Sequence, residues 1–432
     1  MSPTFHSLSI RNYRLYFTGG VVSNIGTWMQ RVAQDWLILQ LTGSAAALGI
    51  TTGLQFLPFL LFSMWGGVIA DRYAKRRVLV TTQALMGALA LTLGVLDLTG
   101  LVAVWHVYVF AFAMGCVVAF DNPARQAFTA ELVGPDALPN AVGLNSSSFN
   151  LARLVGPALA GVLIAAVGTG PVFVLNALSF GAVIAVLMIM RGGELMPAPR
   201  SPRERGQLRA ALSYVWATPE LLLITLIAFF VGTFGFNFQL TLAIFARNEF
   251  GRGPESFGLL SSALAIGTLG GALLAARRGR PTLQLVVGAA LLFGSLEILA
   301  ALAPTYWTFL LMLIPTGLAS LTLLTAMNST MQLGSAPQMR GRVMALYMTV
   351  FMGGTPIGAP VVGWVAQEIG PRWSLIGGGL VSVLATVIAT LWIARRYGID
   401  VRERVAGLRR RAVLQPFRYG ALALSRLPAR GR

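Results

Sequence analysis

The chain predicts an all-α membrane protein whose twelve transmembrane helices form two pseudo-symmetric six-helix bundles, and three observations carry that prediction. The first is composition: 56% of the 432 residues are hydrophobic and only 11% charged, with a mean hydropathy of +0.71. No soluble fold hides that much apolar surface, whereas a bilayer accepts it. The second is that apolar runs long enough to span, each needing about 20 helical residues, recur from end to end between short polar connections. The third is charge: the formal net charge is +18, and most of the 33 Lys and Arg residues fall in alternate connections and in a basic C-terminal tail. Lys and Arg are retained on the cytoplasmic side during insertion, so the asymmetry orients the chain with both termini inside. It also replaces a nucleic-acid partner, which such a charge would otherwise suggest, with the lipid bilayer, whose anionic headgroups the tail can touch.

The elements follow in order. Helix 1 is read over Leu15 to Leu41, helix 2 over Ala46 to Ala70, helix 3 over Val78 to Leu98 and helix 4 over Ala103 to Phe120. Helix 5 covers Pro139 to Val167 and helix 6 Pro171 to Met190, closing an N-terminal bundle of residues 1–190. Residues 191–219 are rich in Pro, Arg and Gly and read as a cytoplasmic linker. In its second half Leu208, Leu212 and Val215 at helical spacing predict a short amphipathic helix over Gln207 to Ala217. Helices 7 to 12 are read over Glu220 to Ala246, Ser256 to Ala276, Thr282 to Leu302, Tyr306 to Gln332, Gly341 to Gln367 and Arg372 to Ile393, a second bundle of residues 220–395, followed by the tail 396–432. Short connections make neighbours antiparallel. The opening residues lack the pattern of a cleaved signal peptide, so helix 1 is expected to be retained.

Two weak internal repeats support duplication. A shift of 202 residues superposes Gly156, Gly161 and Gly168 on Gly358, Gly363 and Gly370, and a shift of 213 puts Gly19 and Asn24 on Gly232 and Asn237. Carriers built from two halves place their site between them.

Between helices 2 and 3, Gly66 to Arg77 reads GGVIADRYAKRR, one acid among four cations. Gly67, Asp71, Arg72, Ala74, Lys75 and Arg76 resemble the loop signature of the major facilitator superfamily, with Ala74 in a position more often Gly. The sequences WMQRVAQDWL in helix 1, DNPARQ (Asp121 to Gln126) closing helix 4, and NSTMQLGSAPQMRGRVMALY (Asn328 to Tyr347) are similar to the enterobactin-exporter-like branch of bacterial drug and siderophore efflux carriers. The resemblance runs to about Arg396. It implies that Asp71 is a latch acid in a cytoplasmic gate with Arg72, Lys75, Arg76, Arg125, Arg340 and Arg342, and that helices 1, 4, 7 and 10 line a central cavity. Ala152, Gly156, Pro157, Ala160 and Gly161 resemble the family's antiporter signature, with Ala in two Gly positions; close helix packing is the plainer use of such a set.

Ionisable groups inside a bilayer are costly and are site candidates by default. In helix 1, Gln30 and Gln34 stand four apart, as do Arg31 and Asp35, so each pair shares a stripe. Asp35 is the first choice for a proton-coupling acid and Arg31 for its partner, although the pair could instead tether helix ends. Polar residues that could face a substrate cavity are Asn24, Gln30, Gln34, Asn145, Ser148, Asn150, Arg153, Asn237, Gln239 and Asn328, with Phe236 as an aromatic wall. Glu297 is read as an outer-leaflet packing or interfacial residue and Asp97 as interfacial.

The leading function is a secondary transporter that exports a moderately large, partly apolar small molecule, such as a drug, antibiotic or siderophore, in exchange for protons. A proton-coupled importer, a lipid transferase and a transport-like sensor are the alternatives. No cofactor is expected: the only lysine, Lys75, is followed by Arg, so there is no phosphate-binding loop. No metal site follows from His6 and His106, which lie beside different segments, and an intramembrane transferase would want clustered acids that the chain lacks. Cys116 can form no intramolecular disulfide. A monomer in a bacterial inner membrane is expected.

The orientation is checked by labelling. In a Cys116→Ser background, a cysteine at Tyr73 should react with an impermeant maleimide only from the cytoplasmic side, and one at Gly100 only from outside. The opposite pattern would invert the topology.

Overall fold

A computed structural model describes residues 3–196, 207–278 and 281–397, except for the side chains of residues 3, 4, 63, 64, 71, 207 and 208. Residues 197–206 of the linker, residues 279 and 280 and the basic tail beyond Tyr397 lie outside the described residues, as does the side chain of Asp71.

Among the described residues every span is helical. The first six are α1 (Arg11–Thr42), α2 (Ala45–Arg72), α3 (Lys75–Leu98), α4 (104–133), α5 (135–167) and α6 (Gly170–Ile189). The second six are α7 (Pro219–Glu249), α8 (Pro254–Arg277), α9 (Leu283–Ala301), α10 (Tyr306–Gly334), α11 (Arg340–Glu368) and α12 (Pro371–Arg396). Ten helices are long and apolar enough to cross a membrane, the 64-residue run Val104–Val167 counting once for two spans, while α1 is 32 residues long but too polar to be found that way. The helices assemble into two six-helix bundles.

Two boundaries differ from expectation. DNPARQ does not close α4: the helix continues through Pro123 to residue 133, because Phe128 and Leu132 are buried in a core cluster of the first bundle and Glu131 is ion-paired. What ends it is Gly134, at φ +70°, with Pro135 opening α5. The linker helix (Gln207–Ala217) forms where predicted, but Leu212 is exposed; the buried face is Ala211, Tyr214 and Val215, and the Ala336 amide donates to Tyr214 Oη at 3.1 Å. That bond docks the linker on the second bundle.

The spans are not uniform rods. α7 carries π-helical turns at Val231–Gly235 and Phe245–Glu249 and leaves helical geometry at Phe236 and Asn237. α11 is interrupted at Gly354. Such defects concentrate at working parts of helices.

The bundles meet along two helix pairs, α2 with α11 and α5 with α8. At the first crossing a Cβ on Gly363 would lie 2.6 Å from Ala45 O and 2.9 Å from Gly49 Cα. At the second, a Cβ on Gly161 would lie 2.7 Å from Pro254 O and 3.3 Å from Gly258 Cα. Gly161 and Gly363 are one of the pairs related by the 202-residue shift, so the repeat marks equivalent crossings. Gly156 and Gly358 are equivalent too, pressing on α1 at Ile25 and on α7 at Thr233, and Gly168 and Gly370 both take positive φ where their helices end. The 213-residue shift marks no such equivalence, since Gly19 rests on Val186 of α6 and Gly232 on Phe351 of α11.

Both crossings lie near one end of the molecule. There the Ala45 amide donates to Gln367 Oε1 at 2.9 Å, Ser262 Oγ donates to Leu154 O at 3.0 Å, and Trp36 stacks on Phe257 at 6.5 Å. The largest core cluster joins both bundles, whereas the cluster containing Tyr13, Phe128 and Leu132 at the basic-loop end holds residues of the first bundle alone. These contacts join the bundles at the end away from the basic loops, which is the closed one.

A methyl group at either crossing meets backbone and cannot be relieved by a rotamer change. Gly161→Ala and Gly363→Ala should each cost about 1–3 kcal/mol, read as a lower melting temperature of the purified protein. Gly143→Ala, with nothing within 4 Å of the added carbon, should hold or raise it.

Candidate functional site

Between the bundles, near their closed end, lies a cavity of about 180 Å³. α1 contributes Trp28, Arg31 and Asp35; α2 adds Thr52, Gln55 and Phe56; α5 adds Arg153 and Pro157. The second bundle closes it with Phe236, Phe238, Gln239 and Leu242 of α7, and Ser261 and Leu264 of α8. The irregular turn of α7 is what turns Phe236 and Gln239 together toward α1.

Trp28 organises the charges. The Arg31 guanidinium lies 5.0 Å from its ring centroid and that of Arg153 5.9 Å, so two cations share one aromatic face system. Gly156 allows it, for a Cβ there would sit 2.6 Å from Trp28 Cβ. Asp35, 4% exposed, is the one carboxylate of the lining. It faces Arg31 without closing an ion pair, and the Gln239 carboxamide lies beside it from the other bundle. The alignment is too loose to join them: Asp35 Oδ2 and Gln239 Nε2 are both buried without a hydrogen-bond partner. Two guanidiniums, one carboxylate, two amides and an aromatic and aliphatic wall can hold a ligand's acceptors, donors and apolar surface at once.

Of the residues singled out in the sequence, the cavity thus gathers Arg31, Asp35, Arg153, Pro157, Phe236 and Gln239. The others lie off its lining. Gln30 accepts from Asn176 Nδ2 at 2.5 Å, tying α1 to α6, because one position from Arg31 it is turned about 100° around the helix and off the cavity face. Gln34 is buried beside Asp35 on that same displaced stripe. Asn24 donates to Ser148 Oγ at 3.1 Å, a bridge from α1 to α5. Asn145 accepts from Tyr13 Oη at 3.1 Å, Asn150 donates to Ser146 O at 2.9 Å, and Asn237 donates to Thr233 O at 2.8 Å. Asn328 accepts from Gln332 Nε2 at 2.8 Å. Trp28, Gln55, Phe56 and Ser261 are cavity residues that sequence reasoning missed, since uncharged side chains in apolar helices give no signal of the direction they face.

At the basic-loop end, Lys75, Arg76, Arg125 and Arg340 have partners within their own bundles. Lys75 Nζ is 2.9 Å from Glu131 Oε1, and Arg76 donates to Leu187 O at 2.6 Å and Met188 O at 2.9 Å, capping α6. Arg125 is held by Asp121 at 2.8 Å, a carboxylate that also accepts from Thr82 at 2.6 Å and Gln83 at 3.1 Å. Arg340 donates to Gln332 O at 3.0 Å, Arg342 lies 3.9 Å from Met339 Sδ, and Arg72 is exposed.

Known proteins share this architecture. A solved bacterial homologue of the lysosomal transporter Spinster, in an inward-facing state, superposes with a TM-score of 0.65 over 92% of this chain and 97% of that one at 18% identity. A POT family transporter reaches 0.73 over 89% and 96% at 12% identity. In sequence, the chain is 26% identical to the staphyloferrin A transporter of Staphylococcus aureus over 256 residues, 59% of this chain and 64% of that one. It therefore spans a little under two thirds of that relative's length. It is 24% identical to macrolide efflux protein A of Streptococcus pyogenes over 87% of this chain and 96% of the relative, and 26% identical to the multidrug efflux pump Tap of Mycolicibacterium fortuitum over 90% and 97%. The family model described as transmembrane secretion effector matches residues 2–403. Matched over nearly its whole length and folded as two six-helix bundles around a polar cavity, the chain belongs to the transmembrane secretion effector family of major facilitator transporters, multi-pass membrane carriers of small molecules and not enzymes.

Proposed function

We propose that the protein is a proton-coupled exporter, an antiporter of the bacterial inner membrane that expels a partly apolar, oxygen- or nitrogen-rich small molecule of the drug or siderophore kind. The observation that carries it is Asp35: a buried carboxylate on the cavity wall, set between Arg31 and Gln239 of the opposite bundle, with an oxygen left unpartnered. A titratable group between two bodies that must part and rejoin can couple proton binding to their movement. The names of the matched relatives, two efflux proteins and a siderophore transporter, supply the direction and kind of cargo.

In this reading the basic loops face the cytoplasm. Cargo enters from that side, its acceptors meeting Arg153 and Arg31, its donors meeting Asp35 and its apolar part lying against Trp28, Phe56 and Phe236. Pockets for drug-sized ligands measure some 300–1,000 Å³, so the cavity of about 180 Å³ takes one polar group of the cargo and the rest extends toward the basic-loop end. After the bundles rock, a proton from outside takes the carboxylate that a cargo donor had used. Proton and cargo exclude one another at Asp35, and that exclusion makes exchange obligatory. In this reading the cytoplasmic latch joins Asp71 and the basic residues around it to the second bundle near Arg340 and Arg342.

The test is flux into inverted vesicles under an imposed inward-acid gradient, with erythromycin and an iron-free siderophore as probes. Uptake should follow the gradient, and Asp35→Asn should cut the gradient-driven component at least about tenfold, ~1.4 kcal/mol, while leaving exchange of cargo for cargo. Uptake indifferent to the gradient, or an Asp35→Asn carrier that still responds fully to it, would defeat the antiport reading.

A further inference from the structure

Glu297 was expected at the membrane interface or in loose outer-leaflet packing. It is instead 1% exposed, inside the second bundle. Its surroundings are built to admit the carboxyl group. A Cβ on Gly235 of α7 would lie 3.4 Å from Glu297 Oε2, and one on Gly378 of α12 would lie 3.7 Å from Oε1. Ser382 is adjacent, but its hydroxyl is committed to Gly378 O at 2.8 Å. Glu297 Oε2 has no hydrogen-bond partner, and no charged group faces it from α7, α10 or α12 among the described residues. A carboxyl that served packing alone would be replaced at no loss by an apolar residue, because a buried polar group without a partner costs stability.

Its position ties it to the moving part. Phe236 lines the cavity on one side and on the other stacks at 5.1 Å on Phe293, one helical turn before Glu297 in α9. Phe351 of α11 closes edge-on on Phe236 at 5.3 Å, so stacked rings link the cavity wall to the turn of α9 that precedes Glu297. These rings hang on the turn of α7 that is π-helical up to Gly235 and non-helical at Phe236 and Asn237, and Asn237 Oδ1 is likewise buried without a partner. If that turn rewinds to a regular helix, Phe236 swings, and the carboxyl and the Asn237 amide are exposed to the cavity together.

We propose that Glu297 is a second proton-exchanging residue of the carrier, screened from the cavity by Phe236 in this conformation and uncovered when the distorted turn of α7 rewinds. The proton passes between its carboxyl oxygen and cavity water, with no other bond made or broken. Its place in a transport cycle rests on the proton-coupled reading above; its exchange of a proton does not.

Infrared difference spectroscopy of the whole protein in lipid nanodiscs tests it without a cargo. A carboxylic-acid C=O band should weaken as pH rises, vanish in Glu297→Gln and persist in Asp35→Asn. Phe236→Ala should speed the shift of that band in deuterated buffer at least tenfold. In proteoliposomes, Glu297→Gln should displace the pH profile of erythromycin flux and Glu297→Asp should restore it. If Glu297→Gln does not fold, Glu297→Asp and Phe236→Ala still report through the band. A Glu297 band unmoved by pH and by Phe236→Ala, or a Glu297→Gln carrier with the parent's pH profile, would overturn the proposal and leave an inert buried acid. Loss of gradient-driven flux in Asp35→Asn alone would bear on the antiport reading and not on this one.

Discussion

The structure depends on backbone meeting backbone at two places. Where α2 crosses α11 and α5 crosses α8, glycines bring the helices so close that no side chain fits between them. Lipid supplies no hydrophobic drive for helices to associate, so close dispersion contact and the few polar bonds beside it must hold the bundles together. Glycine crossings also leave no interlocked side chains to resist a change of angle. The feature that attaches the bundles thus occurs in both repeats, as two crossings of equivalent design.

The cavity sits against these crossings, so small rotations there change its walls. Asp35 and Gln239 belong to different bundles and lie within reach of each other, each with an atom unpartnered. In a low-dielectric site such an unmet group is a stake in the position of the opposite bundle. Trp28 keeps two guanidiniums on the first bundle beside one carboxylate, leaving the lining with one cation in excess. Ligand oxygens suit that wall better than a fixed positive charge does.

Much of this was legible in the residues. Apolar runs located the spans, and the repeat of Gly156, Gly161 and Gly168 in Gly358, Gly363 and Gly370 pointed to duplication, which the equivalent crossings match. Arg31, Asp35 and Arg153 were conspicuous because charge in an apolar run has few explanations. What stayed hidden depended on the direction a side chain takes. Gln30 and Arg31 are adjacent, yet one binds Asn176 and the other lines the cavity, and a helix with polar residues on several sides offers no single polar face to orient it. The extension of α4 past Pro123 was masked by a residue that usually breaks helices, although the tertiary contacts of Phe128 and Glu131 outweigh it. Glu297 was misplaced for a related reason: its pocket is made of Gly235 and Gly378, from helices distant in sequence, and glycine announces no partner.

The central claim is that the bundles rock about these crossings, so the two ends of the molecule must open in alternation. Pulsed electron resonance distances measure that directly in a Cys116→Ser background, with one spin-label pair at Tyr73 and Gly341 on the basic-loop end and another at Leu41 and Ile369 on the closed end. On changing pH or adding cargo the first pair should shorten as the second lengthens, within one molecule population that exchanges between two distances. Distances that stay single and fixed under every condition, or that change in the same sense at both ends, would contradict a rocking carrier hinged where the glycines meet.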